Sequence, residues 1–311
     1  MKNNTLKEIA FAFNAARELP EQIIVNGITV GVPDNEYHAL PWKFVSKHDL
    51  DAFAHCPAVY KAEKEREIVA ESTPSLVFGS AFHARVLEPE TFDSRFAVAP
   101  SRIDRRTKSG KEAYAAFIEA NDGKEILTEE QAKLIETMKG SFESVVSGIW
   151  GNGIAEAVLV GDAIEREKFS VFPRGKADYI CEYSCGAFAI FDVKTTTDAS
   201  PEAFRRDCAN FRYDVQAAYY TALFKQAYAR ATGGNKPKEV SFFFVCVEKG
   251  GICPAAIYDL GPEFIYIGEK TAKKNLSALV SAYEENVFPS YNDGLVATIE
   301  PPAWLAAQRG I

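Results

Sequence analysis

The spacing of apolar and polar positions divides the chain into two textures. In the first half, apolar residues recur mostly at helical intervals. Leu6, Ile9, Ala10 and Phe13 predict a short amphipathic helix over residues 5–17. QIIVNGITVGV then reads as a β-hairpin, because Asn26-Gly27 suits a type I′ turn between two β-branched runs. Residues 1–41 thus read as an N-terminal appendage of a helix plus a hairpin. Ser46 is placed to cap a helix carrying Leu50 and Phe53, with Asp49 at its third position, where a carboxylate favours the helix dipole. Pro57 either interrupts that helix or starts a second. Further helices are expected over about 75–88, 109–121 and 129–149, the last opened by a Thr128/Gln131 capping box.

The second half begins with strands. AEAVLV, EKFSVF, GKADYICEY and FAIFDVKTTT are short, rich in β-branched or aromatic residues and separated by turn-like segments. A helix follows at about 213–231, then the strands EVSFFFVCVE and CPAAIYDL, then a long helix over 262–286. The tail from Phe288 onward is expected to be irregular and packed on the surface. Helices, three or four strands, a helix and more strands make a mixed α/β sheet flanked by helices, with residues 42–311 as the main domain.

Composition narrows the class. With 311 residues, 47% of them hydrophobic and 25% charged, the chain has the balance of an ordinary soluble globular protein and ample core-forming capacity. No run approaches the roughly 18 apolar residues of a membrane span. The N-terminus also lacks a signal peptide's continuous apolar segment. A cytoplasmic protein with no membrane partner is expected. Six cysteines with no CxxC pair, in a chain this long, favour reduced, mostly buried thiols over disulfides or zinc. The net charge of −8 argues against a general nucleic-acid coat protein but not against a nuclease. Such an enzyme gathers carboxylates around metal and needs only a local basic track. Arg102, Arg105, Arg106, Lys108 and Lys111 in SRIDRRTKSGK offer one; a solvated loop is the equally good bland reading.

FAIFDVKTTT carries the most chemistry. Phe188 to Phe191 form an apolar run fit for a buried strand, which ends abruptly in Asp192, Lys194 and three threonines. An unpaired buried charge is expensive, so both charges are expected at the strand's exposed end or at a metal. Residues two apart on a strand face the same way, which sends Asp192 and Lys194 into one small volume. A second Asp-x-Lys, Asp122 to Lys124, lies in a polar turn with no strand leading into it. Asp178, in the preceding strand GKADYICEY, is expected beside Asp192 as a hairpin neighbour. Two adjacent carboxylates repel, and a divalent cation relieves the repulsion. Oxygen ligands select Mg²⁺ or Mn²⁺ rather than zinc. Glu156, one strand earlier, is either a further oxygen ligand or an ordinary strand-edge charge.

These residues, with FVSKHDLDAFAHCPAVYKAEK, FGSAFHARVLEPETF, RRTKSGKEAYAAF, KADYI, FDVKTTTDASPEAF and YDVQAAYYTALF in order, make the chain resemble the exonuclease VIII (RecE-type) family. These are prophage-associated relatives of RecB-type nucleases, built on the PD-(D/E)XK core of αβββαβ design. The resemblance spans roughly residues 44–290. It implies that Asp178 and Asp192 are the metal-binding aspartates, Lys194 the catalytic lysine and His83 the helix-borne metal-site histidine. Glu156 matches, less securely, a glutamate upstream of the first aspartate. Gln216 and Tyr220 match the Q-x3-Y pattern, one helical turn apart and expected to face DNA. The family further implies 5′ to 3′ degradation of double-stranded DNA ends for recombination, a ring-like homo-oligomer and a single-strand annealing partner. Several relatives hold an iron–sulfur cluster; with only Cys246 and Cys253 after Gln216, none is expected here. An endonuclease on the same core and a catalytically silent DNA-binding scaffold are the competing readings.

Overall fold

The computed structural model describes residues 6–65 and 73–310. The N-terminal stretch comprises α1 (Leu6–Ile9), β1 (Phe11–Ala12), α2 (Leu19–Asn26), β2 (Ile28–Val30) and α3 (Asp34–His38). It departs from expectation twice. The helix expected over 5–17 closes one turn and then extends into β1, residue 5 lying outside the described residues. QIIVNGITVGV is no hairpin either. Its first half is helical, with Pro20 in the opening turn, and Gly27 at φ +76° ends that helix by donating its amide to the Ile23 carbonyl. Ile23 is completely buried there, so packing overrides β propensity.

Next come β3 (Phe44–Val45), α4 (Lys47–His55), α5 (Pro57–Lys64), α6 (Pro74–Leu87), α7 (Phe92–Arg95), β4 (Phe96–Ala99), α8 (Lys108–Ala120), β5 (Glu125–Thr128) and α9 (Glu129–Val146). The expected caps form: Ser46 with Asp49, and Thr128 with Gln131, make reciprocal capping boxes, while Pro57 starts a new helix. The parallel pair β4–β5 had no counterpart among the expected elements.

The second half gives β6 (Gly153–Val160), β7 (Ile164–Glu165), β8 (Ser170–Ser184), β9 (Ala187–Thr196), α10 (Pro201–Asn210), α11 (Tyr213–Ala231), β10 (Glu239–Glu248), β11 (Ala255–Tyr258) and α12 (Pro262–Glu285). EKFSVF and GKADYICEY, read as separate strands, join in the 15-residue β8. α10 is additional, although Ser200-Pro201 is a legible start: the Ser200 side chain accepts from the Ala203 amide. The tail is not wholly irregular; it carries a 3₁₀ turn at Tyr291–Gly294 and α13 (Ala303–Gln308).

The main sheet runs β1-β2-β6-β8-β9-β10-β11. β6, β8 and β9 are antiparallel neighbours, and β10 lies parallel to β9 after the α11 crossover. This is the mixed α/β architecture expected, a three-stranded unit followed by helix and strand. Both faces of the sheet are covered. Phe188 and Ile190 of β9 pack toward α11 and α12, while Ala189, Phe191 and Val193 pack toward α6 and α9. The N-terminal segment shares this framework. β2 pairs with β6, and Leu6, Ile9 and Ile28 lie in the core on the α11 side. Among the described residues no helix is long and apolar enough to cross a membrane. Five of the six cysteines are buried, and no disulfide joins them.

Candidate metal centre

Alternation along β6 and β8 breaks at a single rung. Ile154, Ala157 and Leu159 of β6 all belong to the core on the α11 side, as do Ala177 and Ile180 of β8. An undisturbed pleat cannot place both odd and even positions on one face. Ala155 pairs with Tyr179 and Ala157 with Ala177, which sets Glu156 opposite Asp178 at the break. Glu156 has φ +48°, the left-handed region that L residues other than Asn and Asp rarely occupy. Strain of this kind persists where surroundings enforce it.

His83, from α6, completes the rung. One ligand atom each from His83, Glu156 and Asp178 lie within 4.8 Å of one another, and His83 Nδ1 is 3.6 Å from Asp178 Oδ2. That oxygen also accepts from the Val193 amide at 2.7 Å, which pins Asp178 to β9. Desolvation, then the Asp192 and Glu156 carboxylates, push the Asp178 carboxyl well above the usual range. Desolvation also lowers His83 against the opposing pull of Glu156 and Asp192, favouring the neutral imidazole that ligates metals.

Asp192 and Lys194 meet as their spacing on β9 requires, but not at an exposed strand end. Asp192 is 5% exposed, and its Oδ2 lies 2.5 Å from Lys194 Nζ. Its Oδ1 accepts from Gln216 Nε2 of α11 at 2.5 Å. Asp192 is thus held by Lys194 and Gln216 beside the triad rather than within it. Burial opposes the Lys194 charge, but Asp192, with Tyr213 and Asp178, more than offsets this and holds the ammonium protonated. The Tyr213 ring centroid is 4.9 Å from Nζ.

The centre opens into a cleft of about 720 Å³ between α3, α4, α6 and the sheet. Gln216 and Tyr220 both line it, one turn apart on α11. Gly175 lets the Tyr220 ring lie against β8: a Cβ there would sit 3.0 Å from Tyr220 Cζ. Arg105, Arg106 and Lys108 do not line the cleft. They sit beyond the far end of β4, where Arg105 lies over the Tyr114 ring and Arg106 pairs with Asp104.

Four cleft residues around the centre, Asp34, Glu88, Arg95 and Lys176, escaped the sequence reading. Lys176 bridges Glu156 (2.8 Å) and Asp34 of α3 (2.6 Å), and Arg95 reaches Asp34 (2.9 Å) and Glu88 (3.7 Å). Burial opposes the Lys176 charge, and Glu156 and Asp34 outweigh it. Glu88 is pushed up by desolvation and by Glu156. GKAD and HARVLEP contained Lys176 and Glu88, yet a lysine two residues before an aspartate carries no signal by itself.

The profile of a PDDEXK-like domain of unknown function, DUF3799, matches residues 46–298. The chain belongs to this PDDEXK-like family. Among solved structures, a candidate exonuclease from Eubacterium rectale is similar to this PDDEXK-like chain at TM-score 0.57 and 14% identity, covering 91% of this chain and 100% of its own. At that identity the likeness establishes the shared fold. The structure of SSO0001 aligns at TM-score 0.28 and 13% identity over 71% of this chain and 84% of that one, too little to bear on the argument. No curated protein matches the sequence. The PDDEXK-like fold implies a divalent metal, and the donor set fits one: an imidazole that burial biases toward its neutral form, and clustered carboxylates, one of them driven toward protonation by burial and by its neighbours.

Proposed function

We propose that the protein is a Mg²⁺- or Mn²⁺-dependent DNA nuclease that hydrolyses phosphodiesters at double-stranded ends. The observation that carries this reading is the His83–Glu156–Asp178 cluster, which lines the cleft of a PDDEXK-like fold with the Asp192–Lys194 pair beside it. His83, Glu156 and Asp178 would hold the cation, with Asp192 next to them. When bound, such an ion supplies Lewis acidity, drawing charge from the phosphodiester and acidifying water.

The chain's own residues do the rest. Lys194 keeps a permanent positive charge at the centre, where charge develops as the phosphodiester is attacked. Gln216 fixes the Asp192 carboxylate and so the direction in which Lys194 points. Preference for ends, 5′ to 3′ polarity, supply of single strands to an annealing partner in recombination, and a homo-oligomeric ring rest on the motif resemblance to the exonuclease VIII family. The test is a gel assay of linear and covalently closed duplex with Mg²⁺, Mn²⁺ or excess EDTA. Linear duplex is expected to disappear much faster than circles, and only with metal. Cleavage undiminished in EDTA overturns the metal centre; equal rates on both substrates reassign the protein as an endonuclease.

A further inference from the structure

Asp34 lies twelve residues before the family-matched stretch begins, yet its carboxylate reaches the centre through a single ammonium. Lys176 Nζ stands 2.6 Å from Asp34 Oδ1 and 2.8 Å from Glu156 Oε2, and its side chain is 11% exposed. One cation is therefore shared between a carboxylate of the triad and a carboxylate outside it. Arg95 holds Asp34 in place from the other side, donating from one guanidinium nitrogen to Asp34 Oδ2 at 2.9 Å.

The charges define a competition. A divalent ion at His83, Glu156 and Asp178 must take Glu156 from Lys176, whose ammonium already neutralises it. Two like charges near one carboxylate repel, on a scale set by a separation of a few ångströms and intermediate screening. Asp34 offers Lys176 somewhere else to go. Its carboxylate can keep the ammonium on the far side while Glu156 turns wholly to the metal. Without the Asp34 charge, Lys176 has one partner left and stays on Glu156.

We infer that Asp34 is a positioning residue that draws the Lys176 ammonium off Glu156 and thereby sets the affinity of the centre for its divalent ion. The N-terminal segment is on this account a working part of the site. The inference rests on the metal centre proposed above, and both effects of losing Asp34, fewer negative charges and a freed competitor, act in one direction.

A double-mutant cycle on the full chain tests it, with Mn²⁺ binding read by calorimetry and folding checked by thermal melts. Asp34→Asn is expected to weaken Mn²⁺ about tenfold, the scale of one nearby charge at intermediate screening. Asp34→Glu is expected to stay within about twofold of wild type. In a Lys176→Met background, which itself binds Mn²⁺ at least as tightly as wild type, Asp34→Asn is expected to change affinity by less than about threefold. DNA cleavage by Asp34→Asn should recover as Mg²⁺ is raised. An unchanged affinity in Asp34→Asn overturns the inference, as does an equal loss in both backgrounds, which would make Asp34 a remote charge acting without Lys176. A wild type that shows this binding pattern but leaves linear duplex intact refutes the nuclease reading and upholds the role of Asp34.

Discussion

At Lys194, an ammonium faces a carboxylate that is 5% exposed, flanked by Tyr213 and steadied by Gln216. That environment separates two effects of removing it. On the proposed reading, Lys194→Ala takes away a charge acting on the reacting phosphodiester, and interactions made chiefly in the transition state affect turnover more than binding. Turnover should fall by about 10²-fold or more, the scale of losing one preorganised stabiliser, with Mn²⁺ and DNA affinity changed only a few-fold. The same change strands a buried Asp192. Breaking a fully buried pair costs about 3–5 kcal/mol; Lys194 keeps some solvent exposure, so roughly 1–3 kcal/mol is expected. Single-turnover cleavage and thermal denaturation read the two effects separately, and wild-type cleavage by Lys194→Ala would sink the assignment. Spacing brought Asp192 and Lys194 together, since period two on a strand fixes a shared face, whereas Gln216 and Tyr220 came into view through the Q-x3-Y pattern of the resembled family, their spacing of four only placing them on one helix face. Spacing could not show that Asp192 points into the interior, because burial depends on what α11 lays over β9.

β6 shows where legibility along an element ends. AEAVLV, six of its eight residues, read plainly as a strand, and Glu156 was visible as a carboxylate one strand from Asp178. The break in its pleat was not, because a left-handed position announces itself in sequence only when glycine or asparagine occupies it. The mirror case is Gly27, whose Asn-Gly pair advertised a hairpin turn but serves as a helix terminus. One dipeptide suits both uses, and only the burial of Ile23 decides between them. The break makes a prediction that reverses an ordinary rule. In a normal strand, glycine is about 0.5–1 kcal/mol less stable than alanine. At Glu156, alanine must bear the left-handed conformation, at about 1–2 kcal/mol, and glycine need not. Glu156→Gly should therefore unfold at a higher temperature than Glu156→Ala, while both lose Mn²⁺ affinity about tenfold or more. If the alanine variant is the more stable, the strain at this rung is absent and the strand simply relaxes around it.

Across the whole molecule, the proposed DNA substrate sets a polyanion against a net charge of −8, so association on that reading depends on local basic ground within a Debye length of about 10 Å at 0.1 M salt. The cleft itself supplies little surplus. Lys47 pairs with Asp51, Lys64 with Asp49, Arg95 with Asp34 and Lys176 with Glu156. The segment from Arg102 to Glu112 differs, with five basic residues against two acidic ones, and it follows β4, which begins immediately after the cleft residue Arg95. Arg106 is 92% exposed, and Arg105 is braced on Tyr114. A duplex seated in the cleft and continuing past β4 would meet this loop with its phosphates. Reversing both charges, in Arg105→Glu/Arg106→Glu, should weaken binding alike for all sequences. Every phosphate that is no longer neutralised takes about 0.9 from the slope of log affinity against log salt, so the slope should flatten by about two. Mn²⁺ affinity should not move, because neither arginine lines the centre. Titrations of labelled duplex at several salt concentrations measure the slope. An unchanged slope would exclude the loop from the DNA path and move the track toward Arg205, Arg206 and Arg212.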